Sequence, residues 1–163
     1  MKYFLTAGLV IISSLLILFF YFLHIKDKNP QKGQALPVFS YVGYDGKLFS
    51  NRNLNKSRML IFNHFSPTCE HCQYMAKSFV ANKEQLKDAA ILMVTIADST
   101  SVAKFSDEYQ LATMPNIILL RDTKYQFEKT FGTSVVPSFF IYQNNKLVKK
   151  IIGETKIDNL LAP

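Results

Sequence analysis

Apolar and polar positions divide the chain into one long uncharged run and a remainder patterned in short blocks. Tyr3 to Leu23 is 21 residues without a charge, close to the ~20 that a helix needs to cross the hydrocarbon core of a bilayer. Phe19, Phe20, Tyr21 and Phe22 crowd its C-terminal end, where an interfacial aromatic belt belongs. A cleaved secretory signal has a shorter apolar stretch and a small-residue cleavage site, whereas His24-Ile25-Lys26-Asp27-Lys28 follows here. The run predicts an uncleaved transmembrane anchor over residues 1–25. A core helix is the bland alternative, but a helix apolar on all sides suits a much larger interior than this chain can build.

Lys26 to Gly33 is polar, contains Pro30 and Gly33, and predicts a linker over residues 26–33. Residues 34–163 then form one domain, long enough to bury a sizeable core. Val38 to Tyr44 and Lys47 to Ser50 flank Asp45-Gly46 and predict a hairpin, because Asp-Gly supplies the positive φ angles of a tight turn. Met59 to Phe65 reads as a buried strand. Cys69 to Leu86 reads as a helix whose Cys72, Met75, Ala76 and Phe79 fall at i, i+3, i+4 and i+7. Ala90 to Ala97 is a continuous apolar run of the kind found in central parallel strands, followed by a helix over Ser101 to Leu111. Asn116 to Leu120 is a shorter apolar run, and the stretch from Arg121 to Thr130 is polar. Ser138 to Tyr142 and Leu147 to Ile152 predict a second hairpin, and Glu154 to Leu161 a terminal helix docked through Leu160 and Leu161. The order, a hairpin, a βαβ unit, a hairpin and a helix, describes an α/β domain with a mixed central sheet flanked by helices.

Charge changes this picture little. All twelve acidic residues and all but one of the nineteen Lys and Arg follow the apolar run. The excess of positive charge there is dispersed, without an Arg cluster or a recognition motif, so it reads as solvated surface and predicts no nucleic-acid partner. The Phe and Tyr abundance reads as packing.

The two cysteines change it most. Both lie in Cys69-Glu70-His71-Cys72, between a predicted strand and the start of a predicted helix. A helix N-terminus presents unpaired N–H groups and partial positive charge, which favour a thiolate. A thiolate attacks disulfides, and a second thiol three positions on can resolve the mixed disulfide. Cys69 is therefore the candidate nucleophile and Cys72 the resolving thiol. Structural zinc needs four ligands, commonly two such units, and His64 and His71 do not supply a familiar zinc-ligand spacing. His71 is expected to stabilise a Cys69 thiolate by a hydrogen bond or positive charge, while Glu70 opposes it. His64, in the preceding strand, reads as a core histidine.

Val135-Val136-Pro137-Ser138 is the second candidate element. Proline before an apolar strand is poorly placed for a central ladder unless it takes the strand's first position. A cis Val136–Pro137 bond would turn the backbone and leave the Val136 amide and carbonyl to pair with an extended substrate. Spacing alone favours trans proline; the C-x-x-C segment upstream reverses that preference.

Together these segments resemble the thioredoxin superfamily, and within it the TlpA/ResA-like redoxins, membrane-anchored extracytoplasmic thiol-disulfide oxidoreductases. The carriers are Leu36-Pro37-Val38-Phe39 with Asp45-Gly46-Lys47, Leu60-Ile61-Phe62-Asn63 leading to Cys69-Glu70-His71-Cys72, and Val136-Pro137 followed by Asn145-Lys146-Leu147-Val148. The resemblance implies a thioredoxin fold with an N-terminal β-hairpin extension, a nucleophile at Cys69, a resolving thiol at Cys72 and a cis-proline at Pro137. It implies protein dithiol or disulfide substrates, no metal and no organic cofactor, the electrons residing in a Cys69–Cys72 disulfide. A reductant is preferred to an oxidant, because the chain has no room for the inserted helical domain of periplasmic thiol oxidases. A reductant in turn requires a membrane electron donor. Three positions depart from the pattern. The buried Asp of thioredoxins is Asn63, the Glu of cytochrome-maturation members is Met75, and the Trp before the first cysteine is Thr68. Two rivals use the same cysteines. A peroxidase would need Pro where Phe62 stands, and a copper-binding assembly factor would hold Cu(I) through two soft thiolates. Lys26, Lys28 and Lys32 against Lys2 mildly favour a cytoplasmic domain; the resemblance places it on the periplasmic side of the inner membrane, and that expectation is adopted.

Overall fold

The computed structural model describes residues 12–19, 30–54 and 59–162. The predicted anchor falls mostly outside them. Its described part, residues 12–19, is α-helical and exposed throughout, and no helix among the described residues is long and apolar enough to cross a membrane.

The first hairpin forms as its pattern predicts. Strands β1 (Ser40–Gly43) and β2 (Leu48–Ser50) pair antiparallel with Val42 opposite Leu48, and Gly46 takes φ +82° in the turn, a region open to glycine without a Cβ clash. Strand β3 (Met59–His64) leads into helix α1 (Glu70–Ala81) and a short α2 (Lys83–Leu86). Strand β4 (Ala89–Thr95), helix α3 (Ser99–Glu108) and strand β5 (Ile117–Arg121) complete the parallel part of the sheet. A short helix α4 (Phe127–Phe131) precedes the second hairpin, β6 (Ser138–Gln143) and β7 (Lys146–Ile152), and α5 (Ile157–Leu161) ends the domain.

These strands form one seven-stranded sheet in the order β2-β1-β5-β4-β3-β6-β7. β3, β4 and β5 run parallel, and β6 lies antiparallel to β3 with Phe62 opposite Phe140. Alternation along the strands feeds two cores, one on each face. Ile61, Ile91, Met93 and Phe139 pack with Met75 and Phe79 of α1; Phe62, Leu92, Val94 and Phe140 pack with Phe127 and Phe131 of α4. Because both faces are covered, the central strands are buried along nearly their whole length, which is why β4 reads as an unbroken apolar run.

Two elements differ from expectation. The helix drawn from Cys69 to Leu86 breaks at Asn82, whose side-chain amide donates to the Ser78 carbonyl at 2.8 Å, a local bond with which Asn competes against continued helix. The polar stretch 121–130 contains α4, started by Asp122, whose carboxylate accepts the Phe127 N–H at 2.6 Å. Gly132, in the left-handed region, ends it. The end of the predicted linker also joins the domain, as the Gly33 N–H donates to the Leu147 carbonyl at 2.7 Å.

Candidate active site

The parallel strands all end on one edge of the sheet, and the chemistry-bearing residues gather there. Cys69 is the N-cap of α1 and is partly exposed. Cys72, one turn on, faces the core and is 1% exposed. Both are free thiols. The N–H of Ser66, in the loop ahead of the helix, donates to the Cys72 sulfur at 3.5 Å. Burial pushes the Cys72 thiol up to about 12, and the neighbouring Cys69 adds to the rise, while the Ser66 N–H pulls the other way. Cys72 thus stays protonated at neutral pH, and the exposed sulfur is the one able to meet a partner.

Val136–Pro137 is a cis peptide bond, and the Cys69 thiol points at the Val136 carbonyl at 3.9 Å. The structure therefore brings the two sequence candidates, the dithiol and the proline loop, into contact across 67 residues of chain. Glu70 lies exposed in the first turn of α1.

His71 turns elsewhere than expected. Its Nδ1 lies 2.7 Å from Glu154 Oε2, so its partner is a carboxylate after β7 rather than the Cys69 sulfur. Glu154, expected to open the terminal helix, instead lies ahead of α5, which begins at Ile157, and is a neighbour of the site. That segment makes three contacts around the site. The Gly153 N–H donates to the Pro137 carbonyl at 2.8 Å, the Thr155 N–H donates to Met75 Sδ at 3.5 Å, and Glu154 holds His71. No periodicity signals such a clasp, since it is made by backbone groups and one exposed side chain.

Behind the dithiol, Asn63 is buried with its amide near the His64 and Ser138 carbonyls, each at 3.4 Å. Of the other two departures, Met75 is fully buried and Thr68 is exposed. Phe62 is an interior residue of β3. Among the described residues no three His, Cys, Asp or Glu side chains converge as metal ligands.

A dithiol at the N-terminus of the helix following β3, facing a cis-proline just ahead of β6, on a sheet covered on both faces, makes the chain a thioredoxin-fold oxidoreductase. Residues 32–151 match the AhpC/TSA family, and the chain belongs to that family. No curated protein sequence matches it significantly. Several solved structures are similar. A putative thiol:disulfide interchange protein DsbE from Chlorobium tepidum aligns at a TM-score of 0.63 and 19% identity, over 80% of this chain and 91% of its own. A peroxiredoxin-like protein from Aquifex aeolicus aligns at 0.67 and 13%, over 82% and 85%. StoA from Bacillus subtilis aligns at 0.59 and 18%, over 78% and 96%. At these identities the likeness is one of fold.

Proposed function

We propose that the protein is a membrane-anchored thiol-disulfide oxidoreductase that exchanges disulfides with extracytoplasmic protein partners through Cys69 and Cys72, as a reductant. The observation that carries the reading is the asymmetry of the dithiol: one sulfur partly exposed against the Val136 carbonyl, the other buried and held protonated.

The Cys69 thiolate attacks a partner disulfide; the partner's S–S bond breaks, one partner sulfur leaves as a thiolate, and Cys69 is joined to the other. The partner backbone lies along Val136–Pro137. Cys72 then gives its proton to the departing sulfur and attacks Cys69 Sγ, releasing the second partner thiol. Two electrons pass to the partner, and the Cys69–Cys72 disulfide that remains must be reduced by a membrane electron donor. Neither a metal nor an organic cofactor enters this cycle.

The choice of reductant is supported by the chain between the dithiol and Pro137, whose α-helices and strands are the rest of α1, α2, β4, α3, β5 and α4, the sheet's own strands and the helices between them. Placement of the domain in the periplasm, tethered by residues 1–25, rests on the apolar run and the family resemblance. A redox titration tests the direction: a midpoint near ~−270 mV supports a reductant, and one near ~−120 mV makes the protein an oxidant.

A further inference from the structure

On the sheet face opposite α1, the same strand ends enclose a cavity of about 130 Å³. His64, 8% exposed, stands at one wall with its ring stacked on Phe127 at 4.3 Å. Its Nδ1 is buried without a hydrogen-bond partner among the described residues. Asp122 and Glu128 bring two acidic side chains to the lining, and Ile96 and Tyr125, 60% and 66% exposed, form an apolar rim. Tyr125 sits at φ +53°, a backbone state rare for a bulky residue and commonly retained at ligand-contacting positions. Among the described residues no Lys or Arg lines the cavity, although the chain carries nineteen of them and a net charge of +7.

The cavity adjoins the proposed partner path. Ser134 lines it, and the His64 ring interacts with the backbone of Val135, the residue before the one whose carbonyl faces Cys69. Adjacent residues are ~3.8 Å apart along the chain. A partner strand paired with Val136 therefore passes the sulfur and the cavity mouth within a residue or two, and successive side chains of an extended strand point to opposite sides.

We infer that this cavity is a side-chain subsite for the partner, selecting a cationic residue, Lys or Arg, close to the cystine sulfur that Cys69 attacks. The apolar rim takes the aliphatic stem, Asp122 and Glu128 attract the charge, and the unpartnered His64 nitrogen offers a further acceptor when the ring is neutral. The inference rests on the exchange reading of the dithiol. It also runs against the field of the molecule as a whole, since a basic domain repels cationic peptides unless a local acidic site overrides that repulsion.

The test uses full-length reduced protein in detergent and disulfide-linked peptides identical except at one residue. Lys, norleucine or Glu is placed at each of the two positions on either side of the cysteine, and second-order rate constants are measured at low salt. At one position or more Lys reacts about 5-fold faster than norleucine, and Glu more slowly than both, as one partly shielded charge pair allows. Glu128→Gln lowers the Lys-to-norleucine ratio. Equal rates at all positions, or a preference for Glu, overturn the subsite while leaving exchange intact. A protein that reacts with none of the peptides overturns the exchange reading and the subsite together.

Discussion

Cys72 and His64 show how burial sets what a single residue can do. With its thiol pushed up to about 12 by burial, Cys72 resists alkylation at neutral pH while partly exposed Cys69 does not. Iodoacetamide at pH 8 should give one adduct on native protein, mapped by mass spectrometry to Cys69, and almost none on Cys69→Ser; an adduct on Cys72 of the native fold would contradict the assignment. His64 titrates in the opposite sense. Desolvation lowers it below its ordinary 6.5, against weaker pulls from the Val135 backbone and Asp122. Since the unfolded chain takes up the proton first, this residue's contribution to stability is full above pH 6.5 and is lost as pH falls below it. His64→Phe keeps the stack on Phe127 and removes that loss, so its urea midpoint should fall less than the parent's between pH 7.5 and 5.5. An identical fall in both proteins would count against it. At this scale the dithiol was legible, because two cysteines three apart at a strand–helix junction leave few other readings. The His71–Glu154 pair was not, since 83 residues separate its members.

Among the elements, α4 and the segment after β7 were the least visible in the sequence, yet they position the most around the site. Phe127 and Phe131, four apart, fill the second core from a helix of only five residues, too short to show a period amid polar neighbours. Phe127 stacks on His64 and Phe131 and meets Phe140 edge-on. Phe127→Ala should therefore cost about 3–5 kcal/mol, read as a lower urea midpoint; a change under about 1 kcal/mol would mean that α4 is peripheral. The clasp holds His71, two residues from Cys69, against Glu154. Glu154→Gln frees His71 to favour the Cys69 thiolate, so the reduction potential should become less negative by about 10–20 mV at low salt and by less in high salt, the range expected for exposed charges. A shift to more negative values would refute that role. The strands, by contrast, were legible almost to the residue. Alternation and apolar runs are imposed by a sheet buried on both faces, and the turn chemistry of Asp45-Gly46 and of Asn144-Asn145, both at positive φ, marks where the chain reverses.

As a whole, the chain joins a thioredoxin-fold redox domain to an apolar N-terminal run of sequence. The same run that raises the mean hydropathy to +0.07 leaves an ordinary basic domain behind it. Its placement is tested by fusing a reporter that works only in the cytoplasm to the C-terminus: the account expects no signal, and a signal would reverse the orientation. Orientation was hard to read because Lys26, Lys28 and Lys32 after the run differ little in number from Lys2 before it. Joining of partners through Cys69 and their release through Cys72 is tested by trapping, with membranes from cells carrying Cys72→Ser resolved without reductant. Mixed disulfides to partner proteins are expected on Cys69, dispersed by dithiothreitol and absent from the Cys69→Ser, Cys72→Ser double variant. Recovery of Cys72→Ser with a free Cys69 thiol and no attached partner would contradict it.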